Sequence, residues 1–160
     1  MNPASAIHKI VSGGQTGADL AALDFALAHG IPHGGWCPKG RKAEDGVIPA
    51  CYRLVETNSA GHVARTEQNV IDSHCTVVFT FGRPTGGSKK TIDLAAEHQR
   101  LCLCLDLAAL SDEEAALAVR QWLSPGGVLM PGVPVSPRRR SGGCSRSVCP
   151  ITWSARNGCG

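Results

Sequence analysis

The stretch "KIVSGGQTGADLAALDFALAHG" (Lys9–Gly30) decides how the chain is read. A short apolar segment runs into a glycine pair, a polar turn and a third glycine, and then into a Leu- and Ala-rich run. Ile7–Ser12 predicts a buried strand. Gly17–His29 predicts a helix, because Leu20, Leu23 and Leu27 share one face and Ala18, Ala21, Ala22, Ala26 and Ala28 allow close approach to a sheet. Gly30 fits a helix stop. Gly13 and Gly14 therefore lie just past the carboxyl end of a strand, and Gly17 opens a helix. Glycines at such a corner let backbone N–H groups approach a ligand, and the helix N-terminus favours negative charge. Gln15 and Thr16 add side-chain donors, so the expectation is an anion site, most often for phosphate. The spacing is neither G-x-G-x-x-G nor the Walker pattern. Asp19 would repel a phosphate, and its expected role is to favour the helix dipole or to order the neighbouring loop.

The rest of the chain repeats the alternation. "IPHGGWCPKGRKAEDGVIPA" (31–50) reads as a long Gly- and Pro-rich loop, and Tyr52–Glu56 as a short strand. "RTEQNVIDS" (65–73) follows as a short helix with Thr66 as its N-cap. "CTVVFTFG" (75–82) is a continuous apolar, β-branched strand of the kind buried on both faces. After the loop "RPTGGSKK", "TIDLAAEHQR" (91–100) reads as a helix and "LCLCLDL" (101–107) as another buried strand. Ser111 and Glu114 form a capping box ahead of "AALAVRQWL", and "GVLM" (127–130) is a candidate last strand. Strands alternating with helices predict an α/β, Rossmann-like, three-layer fold with a mainly parallel sheet. Right-handed crossovers then place the strand-to-helix loops along one edge, where ligands bind. One domain is expected over residues 1–129. Residues 130–160 are expected to form a poorly ordered tail rich in Pro, Gly, Ser, Arg and Cys.

A second glycine corner, "TGGSKKT" (85–91), follows a later strand. Gly86, Gly87 and Ser88 precede a helix, Thr91 is expected in its first turn, and Lys89 and Lys90 add positive charge. Two such loops on one sheet edge would bracket a single phosphorylated ligand. "WCPKGRKAEDG" (36–46) offers Lys39, Arg41 and Lys42 as anion partners and Trp36 as an apolar wall. Arg65 is placed to hold a phosphate bidentately, or to form a surface pair with Glu67. No nucleophile elbow, Cys–His arrangement or zinc-ligand spacing is present, so neither a catalytic residue nor a metal site is expected.

Composition narrows the classes further. The chain has 160 residues and a formal charge of +3. Up to Gln121 there are 11 Lys/Arg against 13 Asp/Glu, whereas the segment after it carries five Arg and no acid. The body is near neutral, and the Arg cluster lacks aromatic interleaving, so a nucleic-acid partner is not expected. No apolar run approaches the ~18 residues of a membrane span. "MNPASAIHK" does not have the pattern of a signal peptide. The expectation is a cytoplasmic protein whose eight cysteines stay reduced.

"SGGQTGAD", "GGWCPKGRKAEDG", "RTEQNVIDS" and "GSKKT", in this order, resemble the molybdenum cofactor carrier family, a circularly permuted branch of the SLOG superfamily of Rossmann-like proteins. The resemblance covers about residues 7–107. It implies a nucleotide-binding-like α/β fold, a homo-oligomer, and the molybdenum cofactor as bound cargo: a pterin carrying a phosphate and a dithiolene-held metal, destined for molybdoenzymes. Carried over position by position, it implies a binding set of Gly13, Gly14, Gln15, Thr16 and Gly17, with Lys39, Gly40 and Arg41, Arg65 and Asn69, and Gly87, Ser88 and Thr91. The fourth loop also looks like the phosphate loop of related phosphoribohydrolases, which use a carboxylate just after the Thr. Here the nearest is Asp93, two positions on, with Glu44 as the other candidate. A non-enzymatic carrier is therefore expected ahead of a nucleotide-binding or nucleoside monophosphate hydrolase-like protein.

The family's usual Asn-Val-Ala-Gly-Pro-Arg-Glu-Ser after the last strand is replaced here by "MPGVPVSP" (130–137). Restoring one adenine before the Met130 codon lets the following triplets encode Asn-Ala-x-Gly-Pro-Arg-Glu-Ser, which agrees at six of eight positions. Residues 130–160 are thus expected to be an off-frame translation. Resequencing the gene across this point should recover the missing base or a genuine frameshift; an intact frame would contradict it.

Overall fold

Parallel pairing of buried strands organises the molecule. The structure, a computed structural model, describes residues 7–123 and 147–153, the latter by backbone alone. In chain order the elements are β1 (Ile7–Val11), α1 (Ala18–Ala28), β2 (His33–Gly34), β3 (Trp36–Cys37), β4 (Lys42–Ala43), β5 (Gly46–Val47), β6 (Val55–Glu56), α2 (His62–Ile71), β7 (Cys75–Thr80), α3 (Gly86–Glu97), β8 (Leu101–Asp106), α4 (Asp112–Leu123) and β9 (Ser147–Trp153). Five strands form one sheet in the order β2-β1-β9-β7-β8. Every pairing in it is parallel, from Cys75 opposite Leu101 to Thr80 opposite Asp106 in the β7–β8 ladder.

Successive residues of a strand point to opposite faces, and β7 shows the consequence. Val77 packs with Leu103, Leu105, Ala115, Ala118 and Trp122 under α4. Its neighbour Val78 packs with Val70 of α2, with Leu94 and Ala95 of α3, and with Cys102. Ile10 of β1 meets Ala22 and Ala26 of α1. An apolar cavity of about 300 Å3, lined by residues of α1, α4 and β7, places α1 on the face of α4. The result is the expected three layers: α1 and α4, the sheet, then α2 and α3.

The connection β1–α1–β2 runs outward in one direction and β7–α3–β8 in the other, with β9 between. The sheet therefore has a topological switch point between β1 and β7, the usual location of a ligand crevice in open α/β sheets.

Several elements depart from the sequence reading. The 31–50 loop holds short pieces of regular structure: β3 pairs with β6 in parallel, and β4 with β5 as a hairpin. Helix α2 begins four residues before Thr66, whose hydroxyl donates to His62 O at 2.8 Å in the helix interior instead of capping it. Helix α3 begins at Gly86, so Thr91 lies in its second turn. Neither helix has a side-chain cap hydrogen bond, so the cap signal on which sequence reading relies is absent. The box at α4 is formed as expected: Ser111 N donates to Glu114 Oε2 at 2.8 Å and Glu114 N to Ser111 Oγ at 3.2 Å.

Residues 127–130, the candidate last strand, lie outside the described residues, as does most of the 130–160 tail. Within that tail 147–153 forms a strand at the centre of the sheet. Its first part, 147–150, pairs with β1, with Pro150 opposite Val11, and its second part, 151–153, pairs with β7; the proline removes one donor from the ladder. The expectation of reduced thiols fails at Cys75, which is disulfide-bonded. Cys37, Cys51, Cys102 and Cys104 are free. Burial pushes the Cys102 thiol up to about 12, with Cys104 adding to the shift. Burial also raises Cys37 and Cys104. No helix among the described residues is long and apolar enough to cross a membrane.

Candidate functional site

The first glycine corner is built around a buried ion pair. Asp19, in the first turn of α1, is 2% exposed, and Arg65 of α2 is 9% exposed. Arg65 Nη1 lies 3.4 Å from Asp19 Oδ2. The guanidinium crosses directly over Gly13: a Cβ there would lie 1.6 Å from Nη1. Gly14 has φ +71° and no room for a side chain beside Leu54 and Ile48. Gly17, the N-cap of α1, has φ +96°. Gly35 has φ +137°, and a Cβ would meet Ser12 O at 2.1 Å. These glycines are therefore required by packing within the protein.

The polar groups of this corner are also engaged internally. Gly14 N donates to Ser12 Oγ at 3.2 Å, and Ser12 Oγ donates to Asp19 O at 3.0 Å. Gln15 N donates to Asp19 Oδ2 at 3.2 Å, so Asp19 does order the loop. Gln15 Nε2 donates to Lys42 O at 3.0 Å and Thr16 Oγ1 to Asp45 Oδ1 at 2.7 Å, tying the β4–β5 hairpin to the corner. Arg65 Nε is buried without a hydrogen-bond partner. Arg65 is neither ahead of a helix nor paired with Glu67, which instead meets His98 at 2.9 Å.

Two other predicted ligands serve the scaffold. Arg41 has φ +52°. It donates to the carbonyls of Ile48, Pro49, Tyr52 and Leu54 at 3.0, 2.7, 3.1 and 3.4 Å, stitching the loop that carries Lys39. Tyr52 in turn donates to Asp24 Oδ1 of α1 at 2.5 Å, a bond that pushes its hydroxyl up to about 12. Asn69, fully buried, accepts from Trp36 N at 2.7 Å and donates to Trp36 O at 3.0 Å, acting as a neighbouring strand would. Trp36 is further held by Asp72 at 2.7 Å. Lys39 is exposed, and Gly40 N donates to Glu56 Oε2 at 2.6 Å.

The second corner is different. Gly86 has φ +51°, and the space where Cβ atoms of Gly86 and Gly87 would lie is open. Ser88 and Thr91 are buried and turn their hydroxyls inward, to Thr85 O at 2.8 Å and Gly87 O at 2.9 Å. With no side-chain cap, the first amides of α3 keep the donors a helix cannot use internally. Lys89 pairs with Asp93 at 2.7 Å on the exposed surface. Both corners follow the carboxyl ends of β1 and β7, strands separated only by β9 and so roughly 10 Å apart at ordinary strand spacing. Among the described residues no cluster of His, Cys, Asp or Glu could hold a metal ion.

Sequence reading gave no role to Ser12 and Asp72, although both lie inside quoted motifs, and it missed Glu56, a single polar residue with no motif around it. The geometry separates the two corners experimentally. Gly13→Ala must displace Arg65 from Asp19 and should destabilise the protein by about 3–5 kcal/mol, the usual effect of breaking a buried pair. Gly87→Ala, in open helical space, should change stability by no more than about 1 kcal/mol. Denaturant unfolding of both variants checks this, and equal effects would contradict it.

Comparison with known proteins agrees with this architecture. A crystal structure named "Putative molybdenum carrier protein" from Syntrophus aciditrophicus SB superposes with a TM-score of 0.77 at 40% sequence identity, over 93% of this chain and 83% of that one. A search of curated proteins finds no match. Residues 10–141 match the model of the circularly permutated YpsA SLOG family. The chain belongs to the circularly permutated YpsA SLOG family.

Proposed function

We propose that the protein is a molybdenum carrier that holds the molybdenum cofactor by its phosphorylated pterin. The observation that carries this reading is the uncapped, glycine-opened N-terminus of α3 beside the switch point of the sheet. Uncapped first-turn amides and the helix dipole bind phosphate without a catalytic group. Support also comes from family membership and from the 40%-identical neighbour's name.

In this reading the cargo phosphate sits on the amides of Gly86, Gly87 and Ser88, with Lys89 and Lys90 adding positive charge. The pterin extends toward the first corner, and Trp36, fixed by Asn69 and Asp72, walls the oxidisable part from water. Lys39 reaches the ligand from the loop that Arg41 braces. Arg41, Arg65 and Asn69 act through the scaffold rather than by contact. A homo-oligomer in the cytoplasm that hands its cargo to molybdoenzymes belongs to the same proposal. So does an off-frame origin for residues 130–160.

The hydrolase alternative lacks a placed carboxylate. Asp93 is exposed and paired with Lys89, and Glu44 is exposed in the hairpin turn. Mass spectrometry of the natively purified protein, kept free of oxygen, should find a phosphorylated pterin leaving with it. A nucleotide in its place, or free base released from nucleoside monophosphates on incubation, would overturn the carrier reading.

A further inference from the structure

The first corner already contains an anion. The carboxylate of Asp19 lies at the N-terminus of α1, buried, where a bound phosphate would otherwise sit. It takes the Gln15 amide at 3.2 Å and the Arg65 guanidinium at 3.4 Å, while Ser12 Oγ takes the Gly14 amide at 3.2 Å. The Gly14 and Gln15 amides and the Arg65 cation at this corner are engaged by the protein itself. A second negative charge brought here would meet a like charge shielded from water, where repulsion is strong. The second corner has no such group. The first turn of α3 contains no acidic residue, and among the described residues no atom lies within 4 Å of where the Cβ atoms of Gly86 and Gly87 would be.

We infer that Asp19 is an anion plug that makes the cleft selective for ligands with one phosphate. The two corners do not share a phosphate, and they do not accept one each. The α3 corner takes the single phosphate, and the α1 corner faces the uncharged, hydrogen-bonding remainder of the ligand. The class selected is a monophosphate ester of a neutral heterocycle. Compounds with a second phosphoryl group reaching the first corner are rejected. This deepens the proposed function, since it rests on the phosphate being placed at α3.

Asp19→Asn removes the plug and leaves Arg65 and the α1 N-terminus without an anion. Titration calorimetry with inorganic phosphate should count one phosphate per wild-type chain and two per Asp19→Asn chain, and phosphate should raise the variant's Tm more than the wild type's. A wild type that binds none and a variant that binds one would keep the plug and overturn the α3 assignment. A variant that gains no phosphate, or a wild type that already binds two, would overturn the plug whatever the cargo proves to be. A second measurement needs no variant and stands if Asp19→Asn does not fold. Wild-type protein should bind GDP no more tightly than GMP, whereas GDP binding about tenfold tighter would overturn the inference.

Discussion

The pair between Asp19 and Arg65 is the constraint on which the rest of the structure depends. Asp19 begins α1 on one face of the sheet, and Arg65 comes from α2 on the other, 46 residues later in the chain. Their contact closes over the carboxyl end of β1, and it fits only because residue 13 has no side chain. A buried ion pair contributes little net stability, since desolvation offsets most of the attraction, but separating its partners is strongly unfavourable. Its effect here is to fix one arrangement of α1, α2 and the glycine turn. Ser12 and Gln15 then have defined partners, and the hairpin reaches the turn through Thr16 and Gln15.

Much of the fold was legible in the sequence because hydrophobic patterning reports burial directly. The runs at 75–82 and 101–107 are mostly apolar, as in strands covered on both faces, and the Leu/Ala helix and the Ser111–Glu114 box carry local signals. The starts of α2 and α3 were not legible. Both helices begin without a capping side chain, and α2 buries Arg65, Thr66 and Asn69, which look like surface residues in a linear reading. Strands of two residues, such as β3 and β6, are set by tertiary pairing and have no period to detect. β9 contains a proline and lacks any strand pattern.

The candidate site was legible as a set of positions but not as a set of roles. Gly13, Gln15 and Arg65 meet around Asp19, whereas Asn69 pairs with the backbone of Trp36. Arg41, Arg65 and Asn69 carry ligand-type groups, yet their hydrogen bonds run to the protein's own carbonyls, carboxylates and amides. Charge and hydrogen-bonding capacity are visible in a sequence, whereas the partner that consumes them is fixed by long-range geometry. The α3 corner has open space beside Gly86 and Gly87 and no acidic residue in its first turn, whereas Asp19 stands in the first turn of α1. That asymmetry turns two similar glycine motifs into two different environments, one occupied by a carboxylate and one with no acidic residue in its first turn.

The most direct test of this account is a double-mutant cycle between the partners of the buried pair. Unfolding free energies would be measured for the wild type, Asp19→Asn, Arg65→Gln and the double variant. If the pair organises the corner, each single change is severe and the double variant recovers part of the loss, giving a coupling of about 2 kcal/mol or more, near the upper part of the range for residues in direct contact. Losses that simply add, with no coupling between the two positions, would contradict the central place given to this interaction.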